Sequence, residues 1–246
     1  MAESKVLASP INLRQTILPK TPPESMEEPV ARGSRFVQYG HPYKTYERFF
    51  VGLEPQWGGI NAIEFTENLP VAYVRKSITN NTEKKVDQLR ATQHQNLVNL
   101  KEAFVTNSSV FFVYERWGIS LEEICQLWPV FKLGEVEVAT LCNEVLKGLR
   151  YIHDELGVGH GDLCLEHIFI TENEDVKIGN VGESMIRVSN PRRKAQDLQA
   201  VCGITRNLLR LDKVEETGGT VRLLAGDFAG APCSATIEEL LQVYVR

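Results

Sequence analysis

The stretch that decides the fold of this chain covers residues 158–182 and reads VGHGDLCLEHIFITENEDVKIGNVG. It contains two short apolar segments, 168–170 and 176–178, with a polar turn between them. Two β-rich segments around a polar turn predict a β-hairpin. Because a hairpin brings its two ends together, we expect the polar residues before it, 160–167, to lie close to those after it, 180–182.

The two ends of this stretch resemble the catalytic loop and the metal-binding loop of eukaryotic protein kinases, which read H-R-D-L-x-x-x-N and D-F-G. Here the first motif reads HGDLCLEH over residues 160–167 and the second reads NVG over 180–182. The resemblance implies that Asp162 is the catalytic base, if the protein is active, and that His167 and Asn180 occupy the two metal-ligand positions. Magnesium prefers oxygen ligands, whereas His167 offers nitrogen and Asn180 a neutral oxygen, so we expect no metal site.

The composition is that of an ordinary globular protein. The 246 residues are 43% hydrophobic and carry a net charge of −5, which offers no basic footprint for nucleic acid or for an acidic membrane surface. No apolar run approaches the ~20 residues that a membrane span needs. The cysteines form no CxxC pair, and Cys142 and Cys202 lie in helical apolar patterns. Buried free thiols are therefore favoured, which fits an intracellular, cytoplasmic protein.

Residues 46–78 predict a run of strands at 49–51, 60–65 and 71–78. Kinase small lobes begin in this way, with a glycine-rich loop whose backbone N–H groups approach phosphates closely. The corresponding loop here, residues 52–59, reads GLEPQWGG. Pro55 lacks an N–H group and Glu54 repels phosphate, so a plain hairpin turn at 58–59 is favoured over a phosphate-binding loop.

Lys76, in the third of these strands, resembles the phosphate-pairing lysine of the kinase V-A-I-K motif. A register shifted by two residues places Val74 at this position instead. A helix is predicted over residues 81–93, and in the family this helix supplies a glutamate that pairs with the strand lysine. The matching position here is Lys85, and Glu83 serves only if the helix is shifted, so loss of the ion pair is favoured.

A strand pair is predicted at 97–100 and 110–115, and the second strand leads into a segment that resembles the kinase hinge. Tyr114 takes the gatekeeper position, where a tyrosine narrows the back of an adenine pocket. Glu115 begins the hinge, with residues 116–117 after it, and the resemblance makes Glu115 a nucleotide-binding position.

Two long helices are predicted in the second half of the chain. The first covers residues 135–156 and carries an apolar stripe at i, i+3, i+4 spacing, formed by Val138, Leu141, Cys142, Val145, Leu149 and Ile152. The second covers residues 194–211 and begins with a segment that resembles the kinase A-x-D-I/V motif. The resemblance makes Asp197 a structural aspartate that bonds to the backbone of the catalytic loop. His153 and His160 are expected to be structural, since no cluster with zinc-ligand spacing surrounds them.

The segment after Gly182, which corresponds to the activation segment of the kinases that this chain resembles, is very short. Only residues 183–193 precede the next helix, and no A-P-E motif is present. The end of the chain resembles the kinase R-P-S-A-x-E-L-L segment but lacks its arginine, which in the family pairs with the A-P-E glutamate. Both members of that pair are missing, as expected if the substrate-docking region was deleted as a unit.

These observations predict an α+β, two-lobed protein-kinase-like fold with a β-rich small lobe and a mainly helical large lobe. The expected domains are a flexible N-terminal extension at 1–40, a small lobe at 41–117 and a reduced large lobe at 118–246.

Two classes of function stay open. The first is a pseudokinase, a protein-binding, scaffold or regulatory module in signalling. The second is a weak or atypical ATP-dependent phosphotransferase, acting on a protein or a small molecule through Asp162. We expect no cofactor, with ATP and magnesium bound at most weakly. The expected partners are proteins that the sequence does not identify, with no nucleic acid and no membrane.

Overall fold

A computed structural model of the chain describes most of the sequence after residue 35. The described residues are 36–43, 50–56, 59–64, 71–78, 86–127, 133–188, 190–211, 220–232 and 234–243. They all belong to one folded unit, Arg35–Arg246. The greater part of the expected N-terminal extension, residues 1–40, lies outside the described residues, as do Glu83 and Lys85.

Six strands form one mixed sheet: β1 Val37–Tyr39, β2 Phe50–Gln56, β3 Gly59–Glu64, β4 Val71–Ile78, β5 Leu100–Val105 and β6 Ser109–Tyr114. Their order is β1-β5-β6-β4-β3-β2, in which β1 runs parallel to β5 and the other neighbours are antiparallel. The first strand falls inside the expected extension. A three-residue strand that pairs with a strand distant in sequence leaves no local pattern to predict it.

The segment compared with a glycine-rich loop is largely strand. β2 continues to Gln56, which pairs with Gly59, so only two residues connect β2 to β3. The pairing shifts register between Gly52 and Pro55, as in a β-bulge. The hairpin favoured by the sequence is therefore present, and its connection falls at 57–58 rather than at the expected 58–59.

The two faces of this sheet belong to different clusters of buried side chains. Tyr73 and Tyr114 are part of the main core, which includes the helices of the large lobe. Val74, Phe111 and other residues of the opposite face form a separate small cluster. Because side chains alternate along a strand, this division determines which residues of β4 face the site described below.

The predicted hairpin is confirmed. Three strands form a small antiparallel sheet in the order β7-β8-β9: β7 Ile119–Ser120, β8 Ile168–Ile170 and β9 Val176–Ile178. Within the hairpin, Ile168 pairs with Ile178 and Ile170 pairs with Val176.

The described helices are α1 Leu121–Gln126, α2 Glu135–Arg150, α3 Val181–Ile186, α4 Arg192–Leu208, α5 Thr220–Ala229 and α6 Ile237–Val243. A π-helical turn, Tyr151–Glu155, continues α2, which confirms the helix predicted over 135–156. Its predicted apolar stripe is buried throughout. The Sγ atom of Cys142 lies 3.0 Å from Oγ1 of Thr205, so α2 and α4 pack together, and both Cys142 and Cys202 are buried and in no disulfide.

Two predictions before the hinge were wrong. Within the described part of the helix predicted over 81–93, only Val86 is helical, and the strand predicted at 97–100 begins at Leu100. The late start of the strand coincides with a loop closed by Asn99, whose Oδ1 accepts from the backbone N–H of His94 at 2.9 Å and whose Nδ2 donates to the His94 carbonyl at 3.1 Å. Asparagine side chains often close loops in place of regular structure. Residues 81–85 of the predicted helix lie outside the described residues.

The fold is α+β, with a β-sheet small lobe and helical segments in the second half of the chain, as predicted. Among the described residues, no helix is both long and apolar enough to cross a bilayer.

Candidate functional site

The catalytic-loop motif is organised around a buried carboxylate at the start of α4. Asp197 accepts hydrogen bonds from the backbone N–H groups of His160 and Gly161, both at 2.7 Å, and Nε2 of His153 lies 2.8 Å from its Oδ2 atom. Asp197 is almost completely buried. The role predicted for Asp197 is therefore confirmed, and His153 has the structural place expected of it.

His160 ties this loop to the end of the hairpin. Its Nε2 atom lies 2.8 Å from the carbonyl oxygen of Gly179, and its Nδ1 atom accepts from the N–H group of Asp162 at 3.3 Å. Complete burial lowers the pKa of His160, so the ring is neutral and Nε2 carries the proton that Gly179 accepts. His160 is thus structural, as predicted.

The carboxylate of Asp162 is half exposed but paired. Nη2 of Arg187 lies 3.1 Å from its Oδ2 atom, and Nη1 of the same arginine donates to the Gly161 carbonyl at 3.4 Å. The backbone of Asp162 is used as well, since its carbonyl oxygen lies 2.7 Å from Nδ1 of His167. Asp162 and His167, the loop residues expected to act on substrate and metal, therefore already make hydrogen bonds or ion pairs within the protein.

Asn180 begins α3 in a left-handed backbone conformation, with φ of 60°, which asparagine tolerates better than most residues. Its Oδ1 atom accepts from Nη1 of Arg75 at 2.8 Å. Nε of the same arginine donates to Oε1 of Glu183 at 2.7 Å. The single side-chain oxygen of Asn180 is thus bound by a cation of the chain, and its buried Nδ2 atom has no partner among the described residues.

Arg75 occupies the place that the sequence comparison gave to Lys76. Lys76 is exposed on the other face of the sheet, where its Nζ atom lies 5.7 Å from the centre of the Phe111 ring. The shifted register does not change this, because Val74 faces the same way as Lys76. Strand alternation could have identified Arg75, because Arg75 and Tyr73 lie on the same face of β4. The residues before Arg75 are apolar on both faces of the strand, however, so the sequence does not indicate which face is buried against the large lobe.

A small cleft lies where β4, the hinge segment and the catalytic loop meet. It has an empty volume of about 220 Å³, part of it open to solvent, and is lined by Tyr73, Arg75, Trp117, Glu166, His167, Phe169 and Asn180. The hairpin thus brings His167 and Asn180 to one cleft. The indole of Trp117 stacks on the ring of Phe169, with centres 5.1 Å apart and planes 10° apart, and also packs against Tyr73.

Tyr114, at the position that the sequence comparison makes the gatekeeper, is buried and bonded to α3. Its hydroxyl oxygen accepts from the N–H group of Gly182 at 3.0 Å, and burial raises its pKa far above the usual range, so it stays protonated. Glu115 does not line the described cleft. Its carboxylate pairs with Lys177 at 2.8 Å and its N–H group donates to the Asn99 carbonyl at 3.0 Å, so this hinge donor is already used.

Among the described residues, one group of three His, Cys, Asp or Glu side chains is close enough together to hold a metal ion. Cys164, Glu166 and His167 each offer an atom within 4.8 Å of the others. Thiolate and imidazole suit transition metals rather than magnesium. Burial, followed by the nearby carboxylates, raises the pKa of Cys164, and Nδ1 of His167 is engaged with the Asp162 carbonyl. This arrangement does not replace the magnesium ligands of a phosphotransferase.

The β-rich small lobe, the catalytic-loop geometry and the aspartate beneath it define a protein-kinase-like domain. The profile of the family described as protein kinase domain matches residues 68–205, more than half of the chain. The chain belongs to this family.

The similar proteins include three kinases of other organisms. The chain is 34% identical over 110 residues to serine/threonine-protein kinase dst2 of Dictyostelium discoideum, covering 44% of this chain and 10% of that one. It is 29% identical over 96 residues to protein kinase domain-containing protein ppk2 of Schizosaccharomyces pombe, covering 39% and 14%. It is 28% identical over 116 residues to mitogen-activated protein kinase HOG1B of Wallemia ichthyophaga, covering 47% and 30%. The matches thus span less than a third of each relative.

Proposed function

We propose that this chain is a pseudokinase, a kinase-shaped module that binds protein partners and does not transfer phosphate. The observation that carries the proposal is the bond between Arg75 and Asn180. Phosphoryl transfer depends on metal ions that neutralise the charge of the phosphates. Asn180, at one metal-ligand position, has a single side-chain oxygen, and a guanidinium group already occupies it.

The second ligand position supports the same conclusion. His167 presents imidazole nitrogens, of which Nδ1 is bonded to the Asp162 carbonyl at 2.7 Å. Magnesium dehydrates reluctantly and takes oxygen ligands in near-octahedral geometry. A histidine and an engaged amide therefore make a poor magnesium site.

The aromatic side chains that line the cleft pack on one another: Trp117 stacks on Phe169 and contacts Tyr73. We infer that little room remains beside them for a flat base. A bound nucleotide would need to displace an indole from contacts on two sides. We therefore propose that neither ATP nor another cofactor is part of this protein's activity.

The second candidate function is an atypical phosphotransferase that uses Asp162. One observation favours it, because the side chain of Asp162 is 46% exposed and lies in a loop of intact kinase geometry. Against it, the carboxylate is already paired with Arg187 at 3.1 Å. A catalytic base must also reach the proton of a positioned acceptor, and the two metal-ligand positions, His167 and Asn180, supply no unengaged carboxylate oxygen that would hold a metal-bound phosphate beside it.

Two measurements on the full chain test the proposal. A thermal-shift titration with ATP, with and without Mg²⁺ or Mn²⁺, is expected to leave the unfolding temperature unchanged. A radiolabel assay with generic peptides and small-molecule acceptors is expected to give the same background for the wild type and for Asp162→Ala. Turnover that Asp162→Ala abolishes would establish the second candidate function instead.

A further inference from the structure

The short helix α3, which directly follows the metal-loop motif, lies buried between the sheet and the catalytic loop. All six of its residues, Val181–Ile186, are buried. An exposed, mobile segment would be expected at this place if it had to open for a substrate. Its complete burial indicates a structural task.

The sheet side of α3 is a close contact of backbone against aromatic rings. The N–H group of Gly182 donates to the Tyr114 hydroxyl at 3.0 Å. A Cβ atom at Gly182 would lie 2.6 Å from Cδ1 of Phe112, closer than real Cβ contacts come. The helix can approach β6 this closely only because this residue is glycine.

The loop side of α3 is polar. The hydroxyl of Ser184 donates to the carbonyl of His160 at 2.9 Å. One helix of six residues is thus bonded to the small-lobe sheet through Gly182 and to the catalytic loop through Ser184.

Four charged side chains form successive ion pairs between the same two parts of the fold, the sheet and the catalytic loop. We call them the charge chain: Arg75, Glu183, Arg187 and Asp162. The distances between successive charged atoms are 2.7, 3.8 and 3.1 Å. The signs alternate, so each charge lies beside an opposite one. The pair that joins the lobes is the most enclosed, since the side chains of Arg75 and Glu183 are only 19% and 12% exposed.

In the protein kinases that this chain resembles, the strand lysine pairs with a glutamate on the helix that corresponds to residues 81–93 here. In this chain, residues 87–93 of that region are not helical. The cation on β4, Arg75, pairs with Glu183, which follows the metal-loop motif in sequence. Asn180, where the family has a metal-binding carboxylate, turns its oxygen to the same guanidinium group.

We propose that α3 and the charge chain form a built-in connection that holds the sheet and the catalytic loop in one arrangement without any ligand. Arg75 supplies the positive charge that a bound metal would otherwise bring between these two parts. Glu183 supplies a negative charge to Arg75 from the helix that follows the metal-loop motif. Every group in the connection belongs to the protein, so the arrangement is independent of nucleotide.

A double-mutant cycle on the full chain tests this connection, with Arg75→Met and Glu183→Gln made singly and together. Removing one partner of a buried ion pair leaves the other uncompensated, so each single variant should unfold at lower urea concentration. The double variant should lose no more than the worse single variant, because the interaction is already absent. Additive losses would overturn the proposal.

The matched control is the ion pair of Arg116 and Glu172, which joins the same two residue types at 3.7 Å but is 66% and 72% exposed. Exposed pairs contribute little to stability. Arg116→Met and Glu172→Gln should therefore leave the urea midpoint unchanged, singly and together.

Hydrogen exchange on the wild-type chain gives an answer even if the variants do not fold. The amides of α3 and of β4 should become exposed together as urea is raised, as parts of one cooperative unit. Where Glu183→Gln folds, exchange in both elements should accelerate by about tenfold or more, while α6 keeps its wild-type rate. Opening of α3 well before β4 in the wild type would overturn the connection. Both experiments are done without nucleotide, so their outcome is separate from that of the phosphotransfer assay.

Discussion

At the scale of single residues, His160 is a histidine whose ionisation the fold opposes. Burial lowers its pKa, and Gly179 accepts the proton on its Nε2 atom. The neighbouring carboxylates of Asp197 and Asp162 act in the opposite direction, while His167 adds to the lowering. The balance is a lowered pKa, so the folded protein binds a proton at His160 less readily than the unfolded chain does.

The sign of the resulting pH dependence follows from linkage. A histidine with a lowered pKa contributes its full stability above the ordinary value of about 6.5, and loses it as the pH falls through that value towards the lowered one. The urea midpoint of the wild type should therefore fall between pH 7.5 and 5.5. The urea midpoint of His160→Gln, measured relative to the same variant at pH 8, should fall less steeply over this window. An equal slope in both proteins would show that other groups cause the effect.

The same scale shows what sequence could and could not predict about the site. Asp197 was predicted correctly because its role depends on spacing within one motif. Asn180 and His167 were expected to meet, and they do, because the hairpin geometry requires it. Arg75 was missed because Lys76 fitted the motif, whereas the face of a strand depends on which of its neighbours are covered. Trp117 was assigned to the hinge, and its stacking in the cleft depends on contacts with residues distant in sequence.

At the scale of elements, α2 is the best-supported prediction, since its apolar stripe follows helical spacing over four turns and its whole stripe is buried. β1 left no pattern because its partner is far along the chain, and the strand predicted at 97–100 begins only after Asn99, which bonds the loop backbone. Periodicity thus predicts long elements well, whereas short elements are decided by individual side-chain bonds that periodicity does not register.

The core of the large lobe should depend strongly on Leu149, which is 0% exposed on α2. Leu149→Ala removes a buried side chain and leaves a cavity, so it should cost about 2–5 kcal/mol of unfolding free energy. Val136→Ala on the same helix is the matched control, because Val136 is 72% exposed and should change stability by less than about 0.5 kcal/mol. Urea denaturation of both variants checks the prediction, and near-equal losses would contradict the assignment of the buried face.

At the scale of the whole molecule, three separate features support the proposed pseudokinase function. The β2–β3 hairpin pairs through to Gln56 and Gly59, Arg75 occupies the oxygen of Asn180, and the indole of Trp117 lines the small cleft. Restoring one of these features leaves the others in place. In this proposal, the loss of nucleotide binding therefore depends on several independent contacts and not on one lost residue.

This cumulative reading predicts the outcome of a stepwise restoration. Asn180→Asp combined with His167→Asn returns oxygen ligands to both metal positions, yet it should give no thermal shift with Mg²⁺ and ATP, because Trp117 still packs against Phe169 and Tyr73 in the small cleft. Adding Trp117→Ala should open the ring site and produce a shift that depends on both metal and nucleotide. Trp117→Ala alone should bind no metal-nucleotide complex, since the ligand positions are unrestored. A saturable, Mg²⁺-dependent shift in the double variant would show that the indole does not exclude nucleotide and that the metal ligands alone decide binding.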